Sequence, residues 1–357
     1  METIHDLLTQ VLKPSGAAPI YNAMIALTNP VQGINIQLAA GVTTENGIEV
    51  EPHFRFRAGS MSKPFTAVLA LQMVEQGLIT LDTPLSACLP QDVKTYLSDL
   101  HWYEGRSYTD SIQVSHLLSH ASGLPDYFAG NEQFMAFVMA HPEQRWNWKL
   151  VMEQFFEAGL HRQTKFAPGN GFHYADTNYL LLALIIEQIG RKPFHALLSE
   201  RIFARLILPD TYLEFHEASP GAAPMVYPFY GADSLERVNT GFDWGGGGLV
   251  SSLSDLSLLV RALYEGRFFE KSETQNLMFT FPDPPITGRI DLYGMGVQQK
   301  VFQKIQFFGH DSAYASMMLY APELQTSLVL TLNQAGAYHK ALWLTNKIAG
   351  ILSALPN

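Results

Sequence analysis

The chain has 357 residues, of which 47% are hydrophobic and 16% charged, and its formal net charge is −10. That length and apolar content suffice for a large core, in one big domain or two intimately joined ones. The acidic balance and the lack of any long Lys/Arg run argue against a nucleic-acid footprint and against attraction to an anionic membrane.

Cys88 is the only cysteine, so no internal disulfide forms and the redox compartment stays open. No run of about 18 apolar residues marks a membrane span. At the start, Ile4, Leu7, Leu8, Val11 and Leu12 are spaced for one face of an amphipathic helix, without the basic cluster of a signal peptide. The expected compartment is the cytoplasm if the chain is full length, and the periplasm or outside if a leader has been trimmed.

Two short apolar runs follow, at 21–28 and 34–42, flanking the turn-rich "NPVQG". They predict a strand pair, and the alternating "HFRFRAG" a third short strand. Helical patterns then dominate, with helices expected near 62–76, 113–119, 131–140, 148–157, 177–189, 193–206 and 254–265. From about residue 285 strand patterns return, in "YGMGVQQ", "KIQFFGH", "AYASMMLYA" and "TSLVLTLN", before a closing helix. The order predicts an α+β fold, an antiparallel sheet with the terminal helices on one face and a large helical domain against the other. Residues 1–58 with 280–357 would form the sheet domain and 59–279 the helical one, with the active site at their junction.

Three stretches carry chemistry. In "GSMSKPF", Ser60 and Lys63 are three residues apart. At a helix start they share a face, with Cβ atoms roughly 5–6 Å apart, and Pro64 suits a first helical turn. A hydroxyl there feels the positive end of the helix dipole, and a desolvated lysine beside it can accept a proton. Read alone, the same residues also make a helix cap followed by a surface lysine. Tyr174 precedes Asp176-Thr177-Asn178, a helix start. Beside a lysine cation its phenol would ionise more easily and act as a base. Packing alone would equally explain it. In "FFGHDSAYAS", His310 sits between two strand-like runs, with a backbone N–H after it placed for an oxyanion hole.

Together, Ser60-Met61-Ser62-Lys63, Tyr174-Ala175-Asp176 and His310-Asp311-Ser312 resemble, in order and spacing, the Ser-x-x-Lys, Tyr-x-Asn and Lys/His-x-Gly motifs of the serine beta-lactamase-like family. That family includes class C beta-lactamases, D-alanyl-D-alanine carboxypeptidases, D-aminopeptidases and related esterases. "VSHLLSHASGLPDY", "FAPGNGFHYADTNYLLLALIIE" and "GGGGLVSSLSDLSLLVRALYEG" also resemble family segments, so the likeness runs from about residue 54 to 322. It implies Ser60 as acyl-accepting nucleophile, Lys63 and Tyr174 sharing the proton work, and the amides of Ser60 and Ala313 as oxyanion hole. It further implies Asp176, His310 and Ser312 as substrate-binding residues, and a beta-lactamase/transpeptidase-like fold. No cofactor and no metal are expected. The expected reaction is hydrolysis through an acyl-enzyme on a small-molecule or short-peptide substrate. A peptidase or amidase on small D-amino-acid peptides is placed ahead of a carboxylesterase, and a beta-lactamase third. A non-catalytic binding or sensor member is the alternative from another class. Oligomeric state is left open.

Two departures qualify the resemblance. Asp176 stands where the family usually has Asn; an ionised carboxylate only accepts hydrogen bonds, so it would fix Lys63 as a cation and remove a donor for the side-chain amide of penicillins, or alternatively attract a substrate ammonium, as in peptides with a free amino end. Ser312 stands where the family usually has Gly, and would be strained if it had to adopt a Gly-like backbone. Other residues were weighed. His116 and His120 have a metal-ligand spacing but no third partner. The glycine run 245–248 lacks a phosphate-loop Lys and would instead let backbone pass close to the cleft. Trp244, Tyr127 and Phe128 are aromatic candidates for a pocket wall or for core.

Overall fold

Thr3 and Asp6 start the first helix by a reciprocal cap: the Asp6 N–H donates to Thr3 Oγ1 (3.1 Å) and the Thr3 N–H to Asp6 Oδ2 (2.9 Å). In the computed structural model, which describes residues 3–281 and 292–354, this helix is α1 (Ile4–Val11), and it buries Leu7, Leu8 and Val11. The predicted hairpin follows as β1 (Asn22–Asn29) and β2 (Ile34–Gly41). Late in the chain come β3 (Leu292–Tyr293), β4 (Gln298–Phe302), β5 (Ile305–Ser312), β6 (Ser316–Ala321) and β7 (Thr326–Thr331). The expected onset of this second strand region, near residue 285, lies outside the described residues.

These strands form one seven-stranded antiparallel sheet in the order β3-β4-β5-β6-β7-β1-β2. The chain's ends meet inside it, with Met24 of β1 opposite Thr331 of β7. Side chains alternate between faces, as the two-residue period of a strand requires. Ala23, Ile25, Leu27, Phe307, Met317, Leu319, Leu328 and Leu330 pack under α1 and the closing helix Tyr338–Ser353. Met24, Ala26, Met318, Tyr320 and Val329 face the helical block. His310, paired with Met318, shares that second face.

In the block, α2 (Lys63–Glu75) and α3 (Asp176–Gly190) are apolar almost all round, which marks helices enclosed by protein. The helix α4 (Leu253–Tyr264) lies on the sheet against β1, β6 and β7. The helix expected at 193–206 stops at Arg201 and continues as a separate 3₁₀ turn, Phe203–Arg205. The expected third strand exists as Arg55–Arg57, but it belongs to a small second sheet, between Leu249–Ser251 and Met225–Val226. This small sheet aims the turn that carries Ser60: the Ala58 N–H donates to the Leu249 carbonyl at 2.8 Å. Among the described residues no helix is long and apolar enough to cross a membrane.

Candidate active site

Ser60 lies in a 3₁₀ turn, Gly59–Ser62, that runs directly into α2 with Pro64 in its first turn. Gly59 has φ +55°, and a Cβ built on it would come within 2.3 Å of Ser312 Oγ. Both constraints favour glycine. One helical turn on, Lys63 is fully buried. Its Nζ donates to Ser60 Oγ (3.0 Å), to the Gly246 carbonyl (2.8 Å) and to Asp176 Oδ1. An ammonium has three protons, and these three acceptors match them, holding Lys63 in place under the serine.

Backbone reaches Lys63 because the glycine run strips side chains from the path. A Cβ at Gly245 would lie 2.7 Å from both Ala183 Cβ and the Tyr179 carbonyl, and one at Gly247 would lie 2.2 Å from Asp243 Oδ2. The Gly245 carbonyl also accepts from Thr66 Oγ1 at 2.6 Å, tying the run to α2.

Tyr174 sits in the loop just before α3, with its phenol against the Ser60 hydroxyl and its ring 4.9 Å from Lys63 Nζ. The expectation that the lysine would ease ionisation of the phenol does not hold. Burial first, and then the Asp176 carboxylate, push it well above the usual tyrosine range. Tyr174 is therefore a neutral hydroxyl that can accept one proton only while passing on another.

The loop is held from behind by His120, whose ring centroid is 4.3 Å from that of Tyr174. His120 Nδ1 accepts from the Ala175 N–H (3.2 Å) and from Asn178 Nδ2 (2.9 Å). Its Nε2 then carries the proton and donates to Tyr293 Oη at 3.2 Å. The Tyr293 hydroxyl lies 3.2 Å from His310 Nε2 in turn. His310 Nδ1 donates to the Asp311 carbonyl (2.6 Å), which leaves Nε2 to accept from Tyr293. Burial pushes His310 down to about 3, so it is neutral. The sequence placed His310 at the substrate; it is instead fully buried behind Tyr174, with both ring nitrogens occupied. His120, which by its spacing from His116 suggests only a metal ligand, is part of this support. His116 is separate, with Nδ1 accepting from the Gln113 N–H (3.2 Å) to cap its own helix.

Of the third motif, Asp311 and Ser312 reach the cavity, together with Ala313 that follows it. Ser312 ends β5 with extended backbone, outside the left-handed region, so the feared strain is absent. Its hydroxyl takes the space over Gly59. The Ala313 N–H makes no hydrogen bond among the described residues, so it is available to an oxyanion. Asp311 is held by Lys300 Nζ (2.7 Å), Tyr338 Oη (2.5 Å) and Gln298 Nε2 (2.9 Å). Burial opposes its charge, but Lys300 above all, with the Tyr338 hydrogen bond, outweighs that and keeps the carboxyl below the usual range. Lys300, Gln298 and Tyr338 had no sequence signal: each is one polar residue in a strand or helix pattern.

Ser60, Tyr174, Asp176 and Ala313 line one open cavity of about 280 Å³, with Phe128, Tyr314 and Asp243 on its walls. A second, apolar cavity of about 200 Å³ adjoins it, sharing Phe128, Ala129, Ala313 and Tyr314. Of the three candidate aromatics, Phe128 lines the site. Tyr127 is core, donating to the Phe242 carbonyl at 2.9 Å, and Trp244 lines a different cavity beside His216. Two further carboxyls, Asp126 and Asp243, flank Asp176. Burial first, and Asp176 second, push them up to about 8 and about 7. Among the described residues no group of three or more His, Cys, Asp or Glu is arranged to hold a metal ion.

A family model described as Beta-lactamase matches residues 34–350. The chain is 27% identical to penicillin-binding protein 4* of Bacillus subtilis over 302 residues, 78% of this chain and 60% of that protein. It is 27% identical to the D-aminopeptidase of Brucella ovis over 318 residues, 85% of this chain and 55% of that protein. The chain thus spans little more than half the length of these relatives. Among solved structures, it resembles a D-stereospecific amidohydrolase from Streptomyces with a TM-score of 0.77 and 24% identity, covering 95% of this chain and 97% of that one. It also resembles the D-amino acid amidase of Ochrobactrum anthropi SV3, with a TM-score of 0.75 and 21% identity, covering 98% of this chain and all of the other. At these identities the structural likeness speaks for the fold.

Proposed function

The chain belongs to the beta-lactamase family, and from that premise we propose that it is a serine hydrolase acting through an acyl-enzyme on Ser60, a peptidase or amidase on small D-amino-acid peptides and amides. One observation carries the reading: Ser60 Oγ, 3.0 Å from a buried lysine ammonium, faces an open cavity with a tyrosine hydroxyl on one side and the Ala313 amide on the other. The similarity to a D-aminopeptidase supports the substrate class.

In this mechanism Ser60 Oγ attacks the amide carbon and the carbonyl π pair moves to oxygen, where the Ser60 and Ala313 amides receive the charge. The Ser60 proton passes to Tyr174 Oη while the phenol hands its own to the leaving nitrogen, and the C–N bond breaks to release a neutral amine. Lys63, paired with Asp176, steadies the developing alkoxide throughout. Water then enters, the relay runs in reverse, and the acid leaves. His310 acts through Tyr293 and the ring packing that positions Tyr174.

The apolar cavity beside Ala313 would take the side chain of the acyl residue, and it would serve the chain of an ester as well. A carboxylesterase is therefore the second reading. The test is kcat/KM across D-aminoacyl amides, their L-enantiomers, dipeptides and short acyl esters. A preference for D-amides over L-amides and over esters is expected. Turnover of esters alone would move the assignment to the second reading.

A further inference from the structure

Asp176 pairs directly with Lys63, whereas Asp243 feels Lys63 and Arg57 only through space. It is nine-tenths buried, it lines the cavity that holds Ser60, and among the described residues its carboxyl makes no hydrogen bond and no ion pair. The two cations on this side are already committed. Lys63 is used by Ser60, Asp176 and Gly246. Arg57 is used by Glu214 (2.6 Å) and by the carbonyls of Leu235 (2.8 Å) and Val238 (3.0 Å). A carboxyl largely removed from water without a hydrogen-bond partner is costly, and the pull of Lys63 and Arg57 offsets that burial only in part.

Its position says what would compensate it. A methyl built on Gly246 would lie 3.0 Å from Asp176 Oδ1 and 3.4 Å from Asp243 Oδ1, so the two carboxyls flank the same backbone, the one whose carbonyl holds Lys63. In an α-amino acyl group the nitrogen is two bonds from the carbonyl carbon, or about 2.5 Å. An acyl residue seated on Ser60 therefore carries its amino group in the immediate neighbourhood of the nucleophile, inside the cavity whose walls include Asp243. The apolar cavity past Phe128 and Tyr314 lies beside the same point, where the side chain of that residue would go.

We propose that Asp243 is a specificity-determining residue that receives the free α-ammonium of the acyl-side residue, making the substrates unblocked amino-acid amides and peptides cleaved after their first residue. This rests on the reading of Ser60 as the acyl acceptor, and it excludes N-acylated substrates by leaving the acid unpaired when they bind. Its carboxyl, pushed up to about 7 in the empty site, is drawn back to the ionised form by the bound cation.

The test separates binding from turnover. The Ser60→Ala protein is titrated calorimetrically at pH 7.5 with D-leucinamide and with N-acetyl-D-leucinamide, and again with Asp243→Asn or Asp243→Glu added. The free amine is expected to bind roughly tenfold to a hundredfold more tightly than its acetylated form, in line with a charge-assisted hydrogen bond in a desolvated site. Asp243→Asn should abolish that ratio, and Asp243→Glu should keep part of it. Equal affinities, no binding of D-leucinamide, or a ratio that survives Asp243→Asn would overturn the proposal. Turnover by the unmodified enzyme is measured separately. Failure to cleave either compound would count against the hydrolase reading and leave the binding result to stand or fall alone.

Discussion

At Asp176 a single oxygen in place of an amide nitrogen reorganises the site. The carboxylate pairs with Lys63 and adds to the burial that raises Tyr174, Asp126 and Asp243 beside it. It offers no donor to the amide side chain of a penicillin or cephalosporin. Asp176→Asn should therefore raise nitrocefin hydrolysis at least tenfold above a very low starting rate. No gain would show that something other than the missing donor excludes lactams. The sequence pointed to this residue and to its pairing with Lys63, because both belong to motifs that the resemblance brings into one site. It misjudged Tyr174, because the effect of Lys63 was weighed without the burial and the neighbouring acid that outweigh it. Asp243 and Lys300 were not legible at all. Each reaches the site from a distant segment, and nothing in its local pattern differs from an ordinary surface charge.

Among elements, the join between α2 and the glycine run is the part that tolerates least. Gly245 faces Ala183 and the Tyr179 carbonyl with no room for a methyl. Gly245→Ala should cost about 1–3 kcal/mol by overpacking, read as a lower urea midpoint. It should also cut kcat by displacing the Gly246 carbonyl from Lys63. A variant as stable and as active as the parent would show that the run has slack. The long helices α2, α3 and α4 were legible to within two residues, since their periodicity and length leave no competing reading. Short helices such as Leu85–Cys88 and Gln91–Tyr96 were not, because one turn carries no periodic signal. The strand Arg55–Arg57 was visible as alternation, but which sheet it joins depends on residues about 170 and 195 positions away.

For the whole molecule, clustering several acids around one lysine sets how stability varies with pH. Asp126 and Asp243 keep their protons in the folded state up to about 8 and about 7, whereas in the unfolded chain they lose them near 4. Between those limits the native state binds more protons, so stability is fullest below about pH 4 as far as these two groups are concerned, and is lost as pH rises through 7 and 8. The urea midpoint should fall between pH 5 and pH 8.5, and Asp126→Asn should flatten that fall. An unchanged slope would mean that Asp126 is ionised throughout. The sheet that unites the two ends of the chain was legible from the order of strand and helix patterns. The charge balance of the core was not, because it arises only when Tyr127's neighbourhood, α3 and the glycine run are brought together.

The central claim is that Ser60 forms the acyl bond. Intact-mass spectrometry and peptide mapping after exposure to a fluorophosphonate test it most directly. One adduct per chain, on Ser60 and absent in Ser60→Ala, is the predicted result. An adduct on another residue, or labelling that persists in Ser60→Ala, would contradict it, and a chain that takes no label and turns over no p-nitrophenyl ester would be a binding protein on a hydrolase scaffold.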